Sequence, residues 1–205
     1  MMKKVLILGA GGQIAQFAEA ELAGKADLTL FLRHPEKLSQ PVGTVITGDV
    51  FDTDQLAAAM KGQDIVYSNL GPQPMAKMAK AVIAAAEKAG VQRLIWVATV
   101  GIYREEPADH VAEVEAIYGA ADDPTSYFGD ERVGADLIEA SSLTSTIIRP
   151  NTLTNGTAVE EVVVNGRHDT VSGQPIARRT VAHFISELVL NDDQYENESI
   201  AISTK

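Results

Sequence analysis

The chain has 205 residues, 45% of them hydrophobic, enough to bury one sizeable core, so one domain over residues 1–205 is expected. A formal charge of −11 repels phosphate backbones and argues against nucleic acid as a partner; its plain reading is solubility. No cysteine is present, which excludes disulfides, thiolate nucleophiles and cysteine-ligated metals. The start, Met1-Met2-Lys3-Lys4, is followed by an apolar run of only four residues, too short for a signal-peptide core or a membrane span. The expectation is a cytoplasmic protein with no membrane partner.

Strand-like and helix-like patterns alternate along the chain. Val5–Leu8 reads as a strand buried on both faces, running straight into Gly9-Ala10-Gly11-Gly12. A helix over Gln13–Ala23 follows, with Ile14, Phe17, Ala18 and Leu22 on its inner side. Leu28–Leu32 and Thr44–Thr47 are the next strands. Asp52 or Thr53 caps a helix over Gln55–Met60. Asp64–Tyr67 is the fourth strand, Met75–Ala89 an Ala-rich helix ended by Gly90, and Arg93–Ala98 the fifth strand. Asp130–Ala140 is helical, and Ser145–Ile148 is a strand ended by Arg149-Pro150. Strands at Val159–Val164 and His168–Val171 are expected to form a hairpin through Asn165-Gly166. A helix near Val181–Leu190 and a strand at Ser199–Ser203 close the chain. This alternation predicts an α/β fold: a Rossmann-like doubly wound parallel sheet with helices on both faces and a small C-terminal substrate-side extension.

On such a sheet ligands bind at the carboxyl ends of the strands, so the residues just after each strand carry the function. After the first, the glycines permit a sharp turn and close backbone approach, while the next helix points free N–H groups and its positive dipole end at a ligand. That is how a dinucleotide diphosphate is held. As G-x-G-x-x-G the motif is incomplete, because Ile14 takes the third glycine position. As G-x-x-G-x-x-A it is complete with Gly9, Gly12 and Ala15. After the second strand comes Arg33, with His34 and Lys37 near, where an NAD site would usually have an acid. A guanidinium there clamps a 2′-phosphate, so NADP(H) is the expected cofactor. After the third strand, Asp49 is placed to bond an adenine amino group and Val50 to pack on the ring; Asp49 also suits a turn cap. After the fourth, Asn69, Leu70 and Gly71 either allow close approach on the nicotinamide ribose side or make a plain turn. After the fifth, Thr99 either bonds the substrate or nicotinamide amide or is an ordinary strand-end threonine.

These segments in this order (VLILGAGGQIA, FLRHPEKL, GDV, DIVYSNLG, VQRLIWVATVG, ERVGADLIEASSLTSTIIRP and IARRTVAHFISELVL) resemble the atypical short-chain dehydrogenase/reductase superfamily. The similarity is greatest to the NmrA-like NAD(P)-binding proteins and the flavin reductase/biliverdin-IXβ reductase group. The resemblance implies a cofactor site of Gly9, Gly11, Gly12, Gln13, Ile14, Arg33, Asp49, Val50, Asn69, Leu70, Gly71, Thr99 and Pro150. It implies Thr99 and Tyr127 as the catalytic candidates.

The chain departs from that pattern at one place. Standard members use Tyr-x-x-x-Lys, the lysine making the tyrosine a better acid. Here the segment is Tyr127-Phe128-Gly129-Asp130-Glu131, so a carboxyl group stands at the lysine position, and no lysine lies between Lys88 and Lys205. Tyr127 is then either a packing residue or an acid without its usual partner; Tyr103 is a weaker alternative. A flavin, quinone or linear tetrapyrrole can accept hydride with a proton from solvent, so reduction of such a flat small-molecule acceptor remains open. A non-catalytic NADP(H)-binding redox sensor is the alternative. The chain stops soon after its last strand, which favours the small reductase.

The four histidines, His34, His110, His168 and His183, show no metal-ligand spacing, and no metal is expected. The acidic segment Glu105–Asp123 is either a lid or a solvated helix face. Arg178-Arg179 either caps structure or meets an anion.

Overall fold

A computed structural model describes residues 2–191 and 193–205. β1 (Lys4–Leu8) passes through the glycine turn into α1 (Gln13–Leu22), then β2 (Asp27–Leu32), a single 3-10 turn at Pro35–Lys37, and β3 (Thr44–Thr47). α2 (Thr53–Met60), β4 (Ile65–Ser68), α3 (Met75–Ala89) and β5 (Arg93–Val97) follow. Beyond them come α4 (Val111–Tyr118), α5 (Tyr127–Glu139), β6 (Thr144–Pro150), β7 (Leu153–Thr154) and β8 (Val162–Asn165). β9 (Ile176–Ala177), α6 (Arg178–Leu190) and β10 (Glu198–Thr204) end the chain. No described helix is long and apolar enough to cross a membrane.

Eight strands form one sheet in the order β3-β2-β1-β4-β5-β6-β10-β8. All pairs are parallel except β8 against β10. The order reverses at β1, which lies between β2 and β4, so a crevice opens beyond the carboxyl ends of β1 and β4. Strand residues alternate between two cores. Leu6, Leu8, Val66, Leu94 and Trp96 face α2, α3 and α5. Val5, Ile7, Ile65, Tyr67 and Ile95 face α1 and α6. The doubly wound architecture is therefore as expected.

Several local expectations change. α5 starts at Tyr127 rather than Asp130, because the Ser126 hydroxyl accepts from Gly129 N at 2.9 Å and caps the helix. β6 runs on through Arg149 and Pro150; the Pro150 carbonyl accepts from Val100 N at 3.1 Å, so the missing proline N–H costs the pairing little. The hairpin at Asn165-Gly166 does not form. β8 pairs instead with β10, whose buried Ala201 and Ile202 offer a longer apolar edge. The segment after it is irregular: Asp169 Oδ2 accepts from Gly166 N at 2.8 Å, and Val171 N donates to Glu105 O at 2.7 Å. β7 and β9 form a separate parallel pair that the residues alone did not suggest. The acidic segment holds α4, none of whose residues is buried.

Candidate functional site

The glycine turn is shaped by what it packs against. Gly9 has φ +72°, and a Cβ there would lie 2.6 Å from the Asn69 carbonyl oxygen. A Cβ on Gly12 would lie 2.2 Å from Asn69 Nδ2. Both positions therefore require glycine for the close approach of β1's loop to β4's. Asn69 is itself held in place: its N–H donates to Leu8 O at 2.9 Å, and Tyr67 Oη donates to its Oδ1 at 3.1 Å. Gly12 is the α1 N-cap and supplies no side chain to it, so the first N–H groups of α1, those of Gln13 and Ile14, are left for a ligand.

A cavity of about 190 Å³ opens over this turn. Gly9, Gly11 and Gly12 form its floor, and Asn69, Leu70 and Gly71 the wall towards β4. Asp49, Val50 and Phe51 form the wall at the end of β3, and Arg33, His34 and Lys37 the rim beyond β2. Phe31, a ring only 1% exposed, supports that end; Gly48 is needed there, since its Cβ would lie 2.5 Å from the ring. Asp49 makes its turn: its Oδ1 accepts from Phe51 N at 3.0 Å, which leaves Oδ2 for a ligand. His34 lies 3.1 Å from Glu36. Among the described residues the side chains of Arg33 and Lys37 have no hydrogen-bond or ion-pair partner. The Lys37 stem crosses the glycine floor; its Cδ would be 3.1 Å from a Cβ on Gly11.

Eight expected residues besides Gly11 are thus brought together: Gly9, Gly12, Arg33, Asp49, Val50, Asn69, Leu70 and Gly71. Five are not in the cavity lining. Gln13 is exposed at the start of α1, and the Ile14 side chain is core, 7% exposed, because the helix turns it onto the sheet. For Ile14 only the backbone N–H is a candidate for contact, whereas the Gln13 side chain is exposed beside the turn. The Thr99 hydroxyl donates to Val100 O at 3.1 Å, the strand-end alternative. Pro150 is buried within β6. Tyr127 packs beside Tyr118 and Phe128, with ring centroids 5.9 Å from each. Among the lining residues outside the expected set, two bear most on a ligand. Phe51 follows the Asp49-Val50 pair directly and is 47% exposed, a large ring left at the cavity wall. Lys37 was noted only as a neighbour of Arg33; the 3-10 turn folds it back over Gly11.

Burial first, and then the neighbouring Glu131, pushes the Tyr127 phenol above its usual value. Glu131 is itself buried, 4% exposed, and its carboxyl is raised to about 8 by burial and by the adjacent Asp130. Burial thus favours the neutral form of this carboxyl, where its sequence position suggested a carboxylate. Asp130 caps α3 from a different element, accepting from Met75 N at 2.7 Å and Ala76 N at 3.1 Å. Tyr103 is caged: the Arg167 guanidinium lies 4.1 Å from its ring centroid and that of Arg149 5.0 Å. Arg149 is fully buried and pairs with the buried Glu105. Among the described residues no group of histidine, aspartate or glutamate is placed to hold a metal ion.

A glycine floor at a helix N-terminus, at the switch point of a parallel sheet, with a cationic rim, defines a dinucleotide-binding protein. The comparisons agree. The chain belongs to the NAD(P)H-binding family, whose model matches residues 9–192. A Rossmann-fold NAD(P)-binding family protein from Shigella flexneri is 35% identical, with a TM-score of 0.82 over 100% of this chain and 94% of that one. A wide-type short-chain dehydrogenase/reductase from Veillonella parvula, solved in complex with NADP, has a TM-score of 0.85 over 99% of this chain and 95% of that one at 23% identity, a likeness of fold. An isoflavone reductase-like protein from Olea europaea is 30% identical over 102 residues, 44% of this chain. That match spans only 33% of the Olea europaea protein's length.

Proposed function

We propose that the protein is an NADPH-dependent reductase of a flat, conjugated small molecule such as a flavin, quinone or linear tetrapyrrole. The observation that carries the cofactor choice is the pair of unpartnered cations, Arg33 and Lys37, on one rim of the cavity. A 2′-phosphate needs such partners, and NADH offers nothing for them to hold. Asp49 and Phe51 suit the adenine: one free carboxylate oxygen for its amino group and an exposed ring for its face. Bound NADPH supplies a hydride; the protein's part is to hold the diphosphate on α1, fix the adenosine over β2 and β3, and so send the nicotinamide half over β4 and β5. The absence of lysine beside Tyr127 supports an acceptor that needs no strongly acidified tyrosine. The same absence favours the second reading, a redox sensor that binds NADP(H) without turnover.

One experiment separates them. NADPH and NADH binding are titrated, and NADPH oxidation is followed with free flavins, quinones and tetrapyrroles. Tighter binding of NADPH with oxidation by at least one acceptor is expected. Tight binding with no oxidation by any of them leaves the sensor.

A further inference from the structure

Asn69 follows β4 directly and lays its carboxamide against the glycine turn. A Cβ on Gly12 would collide with Asn69 Nδ2. Gly12 is the N-cap of α1, so this nitrogen stands beside the first free N–H groups of that helix. Asn69 lines the cavity and is half-buried. Among the described residues its Nδ2 has no hydrogen-bond partner. The oxygen end of the same carboxamide is held from within. Tyr67 is fully buried on the α1 side of the sheet, and its hydroxyl donates to Asn69 Oδ1 at 3.1 Å. Among the described residues that hydroxyl makes no other hydrogen bond. Only the oxygen end of a carboxamide can accept its proton. Turning the amide over would leave a buried O–H without an acceptor, which native interiors rarely tolerate. The phenol therefore decides which end of Asn69 meets a ligand, and that end is the donor.

We propose that Asn69 Nδ2 is a side-chain donor to the diphosphate of a bound dinucleotide, and that Tyr67 is the positioning residue that keeps it turned that way. The inference rests on the dinucleotide reading of the cavity and is independent of which acceptor is reduced. The end of α1 supplies backbone N–H groups from the floor, and β4 supplies this further donor from the wall. A carboxamide oxygen in the same place would repel a phosphate, whereas the NH2 end makes a charge-assisted bond to it. The diphosphate is common to NADPH and NADH. The Tyr67–Asn69 couple thus sets how tightly either is held, and leaves the choice between them to Arg33 and Lys37 on the rim.

The test is calorimetric titration of the full chain with NADPH, NADH and 2′-AMP, which keeps the adenosine and its phosphate but has no diphosphate. Asn69→Ala is expected to raise the Kd of both dinucleotides about tenfold and to leave that of 2′-AMP within about twofold. Tyr67→Phe keeps the buried ring and frees the amide to turn, so it should weaken both dinucleotides about fivefold and again spare 2′-AMP. The double variant should bind no more weakly than Asn69→Ala, because Tyr67 acts only through that amide. Asn69→Asp turns a carboxylate on the diphosphate and should raise both dinucleotide Kd values about 10²-fold. A general loosening of the loop would weaken 2′-AMP along with the dinucleotides, and that result overturns the assignment. So does an unchanged dinucleotide Kd in Asn69→Ala when the wild type binds. Should Tyr67→Phe fail to fold, the side-chain amide resonances of Asn69 in the wild type decide. They are expected to shift with NADH and stay in place with 2′-AMP; no shift with NADH overturns the proposal. A wild type that binds neither dinucleotide sinks the cofactor reading, and this donor with it.

Discussion

Replacing Arg33 by glutamate reverses the charge at the point where the cofactor assignment is made. A charge-assisted bond to phosphate is worth about 1.5–3 kcal/mol, and Arg33 is exposed, so about 2 kcal/mol is the fitting figure. A carboxylate about 4 Å from the phosphate adds about 1 kcal/mol of repulsion in a water-like medium. Lys37 stays on the same rim and keeps part of the attraction. The sum, about 3 kcal/mol, raises the NADPH Kd by about 10²-fold. NADH has no phosphate there and should change less than about threefold. The assay is calorimetric titration of both cofactors on both proteins at two ionic strengths. The NADPH advantage of the wild type should shrink at higher salt, since the rim is open to solvent. Equal NADH and NADPH affinities in the wild type, or an unchanged NADPH Kd in Arg33→Glu, would refute the reasoning.

Three further outcomes follow from the packing. Gly9→Ala combines a left-handed residue, costing about 1–2 kcal/mol, with a Cβ 2.6 Å from the Asn69 carbonyl; denaturant unfolding should show the loss, and nucleotide binding should fail. Glu105→Ala strands the fully buried Arg149 charge and should cost about 3–5 kcal/mol in urea unfolding, with a loss under about 1 kcal/mol counting against that ion pair. Glu19 on α1 is buried beside Tyr67, with one oxygen unpartnered and its carboxyl raised to about 7 by burial. Its folded value lies above the unfolded one, so its contribution is full below about 4.5 and is lost as pH rises through about 7. Glu19→Gln should therefore raise Tm relative to wild type at pH 8 and leave it nearly unchanged at pH 4.

The cavity was legible because its parts are local. Gly9, Arg33 and Asn69 directly follow a strand and Asp49 follows one by a single residue, and a parallel sheet sets all strand tips on one edge. Phe51 and Lys37 were missed by stopping one or a few residues short of where the turns lead. What depends on distant partners was hidden. Asp130 finds its role 55 residues upstream, at the start of α3, where Pro74 offers no side-chain cap of its own. Glu131 lies on α5, which packs on α3, and its burial disfavours the anion that the sequence alone suggests. The hairpin at Asn165-Gly166 failed for the same reason: the turn was right locally, but β10 competed successfully for β8.

Glu105 joins three remote stretches of chain. Its carboxyl accepts from Tyr103 N at 2.9 Å and pairs with Arg149, and its carbonyl accepts from Val171 N at 2.7 Å. Arg149 in turn reaches Ser199 Oγ at 3.1 Å. The stretch after β5 is thus riveted to the far half of the sheet and is no hinged flap. Changes of sequence are tolerated more readily in residues 155–161, all of which are exposed.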